Sequence, residues 1–240
     1  MATPLRYRIR QSPLGRRLPH NLSRFLRIYH YALHGHVLRA VTVRRYLGST
    51  DQPRLQLGSG PNLLDGWLNS DLVHGDIFVN VTRRLPLGDA TLAYLYSEHM
   101  IEHIPEEAGE RLLGEAHRVL RPGGVLRITT PDLRKVITIY EDDNPAVSLE
   151  EYLRFLDETL PNQPHPRAAQ MLNTYMRAWG HSYVYDEDDL TAKLRQAGFS
   201  QVTRVEPGES EHELLRGLES HEPSWANPAE AMCLEAVKPR

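Results

Sequence analysis

Apolar residues recur along this chain with two different spacings. Short pieces are apolar at successive or alternate positions, as in β-strands. Between them lie stretches with apolar residues three and four apart, as in amphipathic helices. The strand-like pieces are 54–57, 67–72, 76–81, 92–97, 124–130, 200–206 and 231–237. Strands that alternate with helices predict an α/β fold, with a mostly parallel sheet and helices on both of its faces.

Two of the predicted helices carry clear start and stop signals. One begins after Pro105 and ends at the Arg-Pro-Gly-Gly sequence of residues 121–124. The other begins at Asp186, whose side chain suits an N-cap, and ends at Gly198, which suits a left-handed C-cap. Both stretches lie between predicted strands, as the crossover helices of a parallel sheet do.

Residues 141–180 interrupt this alternation after the fifth predicted strand. One helix is predicted at 148–160, and apolar residues from Met171 to Trp179 predict a second helical piece. Ligands bind at the carboxyl ends of the strands in sheets of this kind. The helical insertion is therefore either a wall of a substrate site or a subdomain that only packs against the sheet.

The first 50 residues differ in charge from the rest of the chain. They contain ten arginines and no acidic residue, although the whole chain has a net charge of −3. Residues 1–20 are predicted to be an irregular arm, and residues 21–47 carry the apolar stripe of a basic amphipathic helix. The sequence thus predicts an N-terminal arm and helix over 1–50 and a globular domain over 51–240.

Three roles are open for this basic helix. It can pack on the globular domain, or it can make peripheral contact with the inner face of a membrane, or with an anionic acceptor, through residues 21–47. The third role, nucleic-acid binding, is disfavoured because the chain as a whole is acidic and shows no RNA-binding module.

Composition limits the protein class. The single cysteine, Cys233, excludes an internal disulfide and a multi-cysteine metal site. No stretch has the roughly 20 apolar residues of a membrane span, and the N-terminus lacks the apolar core of a signal peptide. These features predict a cytoplasmic protein.

The most informative stretch connects the first two predicted strands. Gly58 and Gly60 follow an apolar run, and Asp71 ends the next strand-like piece. Glycines at a strand-to-helix turn let the backbone approach a ligand, and an acid at the tip of the second strand can accept hydrogen bonds from two ribose hydroxyls. The pattern predicts a nucleoside-binding crevice, although the glycines alone would also suit a tight turn.

Six short sequences resemble, in order and spacing, the motifs of the class I S-adenosylmethionine-dependent methyltransferases, and most of all the small bacterial methyltransferase-11-like group. They are Leu-Gly-Ser-Gly-Pro at 57–61, Gly-Trp-Leu-Asn-Ser-Asp at 66–71, Leu-Pro-Leu-Gly-Asp at 85–89, Ser-Glu-His-Met-Ile-Glu-His-Ile at 97–104, His-Arg-Val-Leu-Arg-Pro-Gly-Gly at 117–124 and Thr-Pro-Asp-Leu at 130–133. The resemblance covers residues 54–206 and, more weakly, the chain up to 238. It implies a Rossmann-like, seven-stranded sheet and S-adenosyl-L-methionine as the cofactor.

The resemblance also implies which residues contact that cofactor. Its methionine end is assigned to the glycine motif and to the end of strand four, its ribose to Asp71, and its adenine to Leu72 and Asn80. The full set is Leu57, Gly58, Ser59, Gly60, Asp71, Leu72, Asn80, Val81, Ser97 and Glu98. One position departs from the family pattern, because Gln56 stands where many members carry an acid near the methionine amino group.

Methyl transfer from a sulfonium is an in-line displacement, so a general base is needed only where the acceptor must lose a proton. The catalytic candidates are His99, His181, His103 and Asp132. His99 and His103 are four residues apart, and Glu98 and Glu102 repeat this spacing one position earlier. The spacing is typical of metal ligands, but the sequence shows no third ligand, and no metal is predicted.

These features together predict a methyltransferase that acts on a small-molecule or carbohydrate-type acceptor, at an oxygen atom. Family members that modify adenine or glutamine nitrogen carry an Asn/Asp-Pro-Pro-aromatic loop, which Ser-Glu-His-Met replaces at 97–100. The alternatives are an RNA methyltransferase that uses the basic arm, and a non-catalytic subunit that binds the cofactor. The sequence leaves the oligomeric state open.

Overall fold

A computed structural model describes residues 38–160, 167–220 and 226–240 of the chain. The strands are β1 Arg54–Leu57, β2 Leu68–Asp71, β3 Ile77–Phe78, β4 Leu92–Glu98, β5 Leu120–Pro131, β6 Gln201–Val205 and β7 Ala231–Val237. They form one sheet in the order β3-β2-β1-β4-β5-β7-β6, in which β7 alone runs antiparallel to its neighbours. The predicted Rossmann-like, seven-stranded, mostly parallel sheet is confirmed.

The strand order reverses at β1, which pairs with β2 on one side and with β4 on the other. Leu57, the last residue of β1, is in register with Ser70 of β2 and Ser97 of β4. The connections that leave β1 and β4 therefore diverge, and they open a crevice at the carboxyl ends of these strands. The predicted glycine turn, Asp71 and the 97–104 segment all follow strands that end at this edge.

The described α-helices are α1 Arg39–Leu47, α2 Glu106–Val119, α3 Leu133–Tyr140, α4 Leu149–Thr159, α5 Ala168–Tyr175, α6 Glu187–Gln196 and α7 Ala226–Glu230. The predicted helix signals hold at α2 and α6. Pro105 is the N-cap of α2. The Asp186 side chain accepts a hydrogen bond from the backbone of Asp189 at the start of α6, and Gly198 follows its end with a φ of +105°.

Two short helices are absent from the sequence prediction. α3 follows β5 directly, and its apolar residues Leu133, Val136, Ile137 and Tyr140 have helical spacing over only eight residues, just two turns. Asp132 caps it by accepting a hydrogen bond from the backbone of Arg134. α7 is shorter still and leads into β7.

The predicted helical insertion is present and has a hydrophobic core of its own. α4 begins with a capping box in which Ser148 and Glu151 bond each other's backbone. Tyr152 of α4 and Tyr175 of α5 are buried together, and they pack against α3 and against Ala229 of α7. The insertion is thus a compact unit at the carboxyl edge of the sheet.

One face of the sheet is covered by helices. Leu55, Leu95 and Leu126 point into the main hydrophobic core, where they meet Leu113 of α2 and Leu190 of α6. These two helices account for much of the apolar surface that the sheet buries on this side.

The segment between β6 and α7 covers the other face within the described part of the chain. Leu215 packs there against Trp67 and Tyr96. A buried ion pair lies beside them, because Arg127 of β5 contacts Glu219 at 2.7 Å. On this face the described residues therefore form a connecting segment with one 3₁₀ turn, and not an α-helix.

The predicted basic helix over 21–47 is described only from residue 38 onward, where α1 confirms its C-terminal part. Residues 1–37 lie outside the described residues. α1 is tied to the sheet because Tyr46 Oη donates a hydrogen bond to the backbone carbonyl of Arg54 at 2.9 Å. None of the helices that the structure describes has the length and apolar character needed to cross a membrane.

Candidate functional site

The glycine turn after β1 has a backbone that only glycine adopts readily. Gly58 and Gly60 have φ values of +64° and +49°. A Cβ atom on Gly58 would lie 2.5 Å from Cγ of Met100, so the side chain of Met100 packs on this turn. A Cβ on Gly60 would have no neighbour within 4 Å, which shows that the turn is open on that side.

Asp71 lies directly beside this turn, as the sequence predicts for a nucleoside crevice. Its Oδ2 accepts a hydrogen bond from the backbone of Gly60 at 3.1 Å. Its Oδ1 accepts from the backbones of Val73 at 2.7 Å and His74 at 3.2 Å. These bonds fix the carboxylate at the mouth of the crevice, beside the open side of the glycine turn.

The residues predicted to face an adenine differ in their surroundings. Leu72 is 53% exposed at the lip of the crevice, although its side chain is apolar. Asn80 is engaged locally, since its Oδ1 accepts hydrogen bonds from the backbone and the hydroxyl of Thr82. Val81 packs against the main core. Of these three residues, Leu72 is therefore the one whose exposed apolar side chain is available to a bound ring.

Glu98, at the end of β4, is held by residues from the far end of the chain. Its carboxylate accepts hydrogen bonds from the backbone of Ser220 at 2.9 Å and from the side chain of Asn227 at 3.3 Å. Ser220 also accepts a bond from Asn62, just beyond the glycine turn, and so bridges the two sides of the crevice. Neither Ser220 nor Asn227 belongs to a local motif, so sequence reasoning alone does not identify them.

His99 follows with a φ of +44°, a strained backbone for a non-glycine residue. Its Nδ1 lies 3.3 Å from Oε1 of Glu102, and its Nε2 lies 2.9 Å from Oδ1 of Asn227. Burial alone would lower the pKa of His99, but Glu102 and Asn227 favour the charged ring and raise the pKa to about 9. This environment suits a fixed positive charge better than a proton acceptor.

Glu102 is fully buried in the 3₁₀ turn Ile101–His103, which follows β4. Its Oε2 accepts a hydrogen bond from the hydroxyl of Thr130 at 3.0 Å. Its Oε1 has no well-aligned donor, although His99 and His103 approach it to 3.3 and 3.8 Å. Burial would raise the pKa of Glu102, but the contact with His99 and the charges of both rings hold it below its usual value.

In the folded chain, His181, at the end of the insertion, lies beside His103. The His103 and His181 ring centroids are 5.2 Å apart. Left-handed φ angles at Trp179 and Gly180 turn the chain so that His181 Nδ1 contacts the carbonyl of Tyr175 at 2.8 Å. Burial lowers the pKa of His181. We call His99, Glu102, His103 and His181 the Glu102 cluster.

Folding adds a potential third ligand to the Glu-His spacing of the sequence. Glu102, His103 and His181 each offer one ligand atom, and these three atoms lie within 4.8 Å of one another. Glu102 was visible in the sequence as part of the repeated Glu-His spacing. His181 could be joined to it only by folding.

The carboxylate of Asp132, the fourth catalytic candidate, contacts residues outside the Glu102 cluster. One of its oxygens caps α3, and the other lies 3.0 Å from Arg204 of β6. Its side chain is almost completely buried. These contacts give Asp132 a structural role that ties α3 to β6.

Comparison with known families identifies part of this region. Residues 57–128 match the model of the methyltransferase domain. The matched stretch runs from the end of β1 into β5, and it includes the glycine turn, Asp71, Glu98 and three residues of the Glu102 cluster. No curated protein matches the sequence of this chain.

Several solved structures are similar to this chain at low identity. A methyltransferase of Archaeoglobus fulgidus, described as SAM-dependent, is 17% identical over 88% of this chain and 100% of its own, with a TM-score of 0.47. A methyltransferase of Haloferax volcanii in complex with the activator Trm112 is 11% identical over 87% and 93%, with a TM-score of 0.47. A phosphoethanolamine N-methyltransferase of Haemonchus contortus is 13% identical over 84% and 52%, with a TM-score of 0.44.

Proposed function

We propose that the chain transfers a methyl group from S-adenosylmethionine to an oxygen atom of a small-molecule or carbohydrate-type acceptor. The match of residues 57–128 to the methyltransferase domain supports the reaction class. The observation that carries the proposal is the contact between Asp71 and Gly60 at the strand-order reversal. It puts a glycine turn beside a carboxylate that can accept hydrogen bonds from ribose hydroxyls.

The residues around the crevice fit S-adenosylmethionine. The turn at Gly60 is open to a ligand, since no atom lies where its Cβ would be. Asp71 is already oriented by three backbone hydrogen bonds, and its carboxylate can also accept from ribose hydroxyls. Leu72 offers apolar surface to the adenine, and Glu98 offers a negative charge to the methionine amino group. The other predicted contacts are Leu57, Gly58, Ser59, Asn80, Val81 and Ser97.

The Glu102 cluster supports a hydroxyl as the acceptor. S-adenosylmethionine supplies an activated methyl group, whose carbon–sulfur bond breaks with its electron pair on sulfur as the oxygen–carbon bond forms and the hydroxyl proton leaves. Carboxylates and imidazoles are the groups that bind a hydroxyl and help its proton to leave. His103 and His181 lie side by side and supply such groups, and His103 follows soon after Glu98, which we assign to the methionine end of the crevice.

The insertion supports an acceptor of limited size. α4 and α5 stand at the carboxyl edge of the sheet, and their unit delivers His181 to the cluster. A wall at this position shields the site from water and limits the space for the acceptor. We infer that the globular domain over 51–240 works as one catalytic unit, with the arm over 1–50 as an addition, and that it acts in the cytoplasm.

Calorimetric titration with S-adenosylhomocysteine tests the cofactor site. Wild-type protein should bind it, and Asp71→Asn should bind at least ~10-fold more weakly, because a hydrogen bond to a charged group contributes about 1.5–3 kcal/mol. Asp65→Asn is the matched control, since Asp65 is exposed in the same connection. No binding to the folded wild-type protein, or equal binding in Asp71→Asn, would contradict the proposed site.

Transfer of a labelled methyl group then tests the acceptor. Panels of saccharides, small alcohols, small amines and RNA should be compared, and label is expected on hydroxyl compounds. Label on amines alone would contradict an oxygen acceptor. Label on RNA that is lost when residues 1–37 are deleted would favour the RNA methyltransferase, and cofactor binding without any transfer would favour the non-catalytic subunit.

A further inference from the structure

Glu102, His103 and His181 form a set of donors that the cofactor crevice does not use. Their three ligand atoms lie within 4.8 Å of one another and come from two separate segments of the chain. We propose that these residues bind one divalent transition-metal cation of the Zn²⁺ type. Two imidazoles and one carboxylate form a known ligand set for such cations.

The carboxylate of Glu102 is the strongest support for a cation. It has no exposed surface, and its Oε2 already accepts a hydrogen bond from Thr130. Its Oε1 has no well-aligned donor, although the ring of His99 makes an ion-pair contact at 3.3 Å. The His99 contact compensates the buried charge of Glu102 without a well-aligned hydrogen bond to Oε1, and a cation held by Glu102, His103 and His181 would give this oxygen a direct ligand bond.

His181 is held as a metal-binding histidine usually is. Its Nδ1 lies 2.8 Å from the carbonyl of Tyr175, and this contact requires the proton to be on Nδ1. The Nε2 atom then keeps its lone pair for a cation. A backbone carbonyl behind the ring is a common second-shell partner, because it fixes both the tautomer and the ring orientation.

The backbone holds the ligands from the two segments together. The amides of Ser182 and Tyr183 both donate hydrogen bonds to the carbonyl of Glu102, at 2.7 and 3.1 Å. Gly180 passes close to His103, since a Cβ on it would lie 3.6 Å from Nδ1 of that ring. The two segments are therefore fixed relative to each other before any cation binds.

The number and type of ligands limit the choice of cation. Mg²⁺ and Ca²⁺ prefer oxygen ligands, whereas Zn²⁺ and its neighbours accept imidazole nitrogen. Three protein ligands leave a coordination position open for a further ligand, and the His103 side chain is 35% exposed. If the proposed function holds, an acceptor hydroxyl would take this position in place of a direct contact with the imidazoles, and the bound cation would favour loss of the hydroxyl proton to solvent.

Titration with Co²⁺ tests the site without cofactor or acceptor. The protein is freed of any affinity tag, treated with a chelator and desalted, and the visible absorption bands of bound Co²⁺ are followed. One equivalent should bind, and Zn²⁺ should displace it. His181→Asn and Glu102→Gln should each lower the affinity at least ~10-fold, the loss typical even of second-shell changes.

A described histidine elsewhere in the chain provides the control. His212→Asn should bind Co²⁺ as the wild type does, because His212 does not belong to the three-ligand set. Equal affinity in wild type and His181→Asn would overturn the proposal, and so would a loss confined to His212→Asn. If Glu102→Gln does not fold, His181→Asn decides the outcome, since His181 is only half-buried.

A titration with S-adenosylhomocysteine distinguishes failure of the metal site from failure of the proposed function. His181→Asn should keep cofactor affinity, because His181 lies outside the predicted cofactor contacts. Methyl transfer by a protein that binds no cation would overturn the metal site and leave the proposed function standing. Binding of Co²⁺ to a protein that binds no cofactor would support the metal site and contradict the proposed function.

Discussion

His99 and Glu102 form a buried pair in which Nδ1 and Oε1 are 3.3 Å apart. The pair lies just after the end of β4, where His99 has a left-handed backbone conformation. Because Glu102 favours the charged ring, His99 is a fixed cation at neutral pH, and its pKa of about 9 lies well above the ordinary 6.5.

This pair makes stability depend on pH. The folded protein binds the His99 proton more tightly than the unfolded chain, so its contribution to the free energy of unfolding is complete below pH 6.5 and is lost as pH rises through 9. The Tm of the wild type, measured with a chelator present, should fall more between these values than the Tm of His99→Asn. Asn is chosen because it tolerates a positive φ. His212→Asn should keep the wild-type slope, and equal slopes in all three proteins would contradict the assignment.

Arg118 connects α2 to the segment before β4. Its guanidinium donates hydrogen bonds to Glu115, Asp89 and the carbonyls of Leu85 and Leu87. Arg118→Met should lower the free energy of unfolding by about 2 kcal/mol, since charge-assisted hydrogen bonds of this kind are lost. Denaturant unfolding measures the change.

The matched control for Arg118→Met is Arg121→Met. The Arg121 side chain is exposed and makes a single described hydrogen bond, to the carbonyl of Asp51. A loss of less than ~0.5 kcal/mol is expected there. Comparable losses at the two positions would show that the Arg118 contacts contribute little.

Gly198, after α6, combines a left-handed backbone with a close neighbour. Its φ is +105°, and an added Cβ would lie 2.9 Å from Nε2 of His117, whose ring packs edge-on against Phe199. Gly208 has a similar φ of +83° and no atom within 4 Å of its Cβ position. Gly208→Ala should cost about 1 kcal/mol of stability from backbone strain, and Gly198→Ala about 1 kcal/mol more. Equal Tm values for the two variants would rule out a contribution from the His117 contact.

Glu219 fixes the segment that crosses the Tyr96 face of the sheet. Its carboxylate accepts hydrogen bonds from Arg127 at 2.7 Å, Thr129 at 3.0 Å and the backbone of Gly208 at 2.7 Å. Glu219→Ala should cost about 3 kcal/mol, because it leaves a buried guanidinium with one carboxylate fewer. Differential scanning calorimetry measures the change. Glu213→Ala, at an exposed glutamate of the same segment, should leave the Tm nearly unchanged.

The same Glu219→Ala variant should also bind S-adenosylhomocysteine more weakly. Glu219 precedes Ser220, whose backbone holds Glu98 at the crevice. Release of this segment frees the Glu98 carboxylate from its anchor. Unchanged affinity in a folded Glu219→Ala protein would show that Ser220 does not position Glu98.

The fold was predictable because its signals are local. Strand periods, the Pro105 and Asp186 helix starts and the glycine turn after β1 each depend on neighbouring residues, and the structure confirms them. α3 is absent from the prediction because its helical pattern lasts only eight residues and closely follows the predicted fifth strand. The approach of Asp71 to Gly60 also followed from sequence, since strand ends on one edge of a parallel sheet lie close together.

The Glu102 cluster could not be predicted from the sequence, because its residues come from segments that are distant in the chain. Its residues lie just after β4 and at the end of the insertion, and Asn227 reaches His99 from the far end of the chain. The contact of Asp132 with Arg204 likewise joins distant segments and has no signal in the sequence. Short-range patterns encode the elements, their order and the glycine–Asp71 crevice, so these features follow from the sequence alone. Which histidines share a buried carboxylate depends on how distant segments pack, and this is known only from the folded chain.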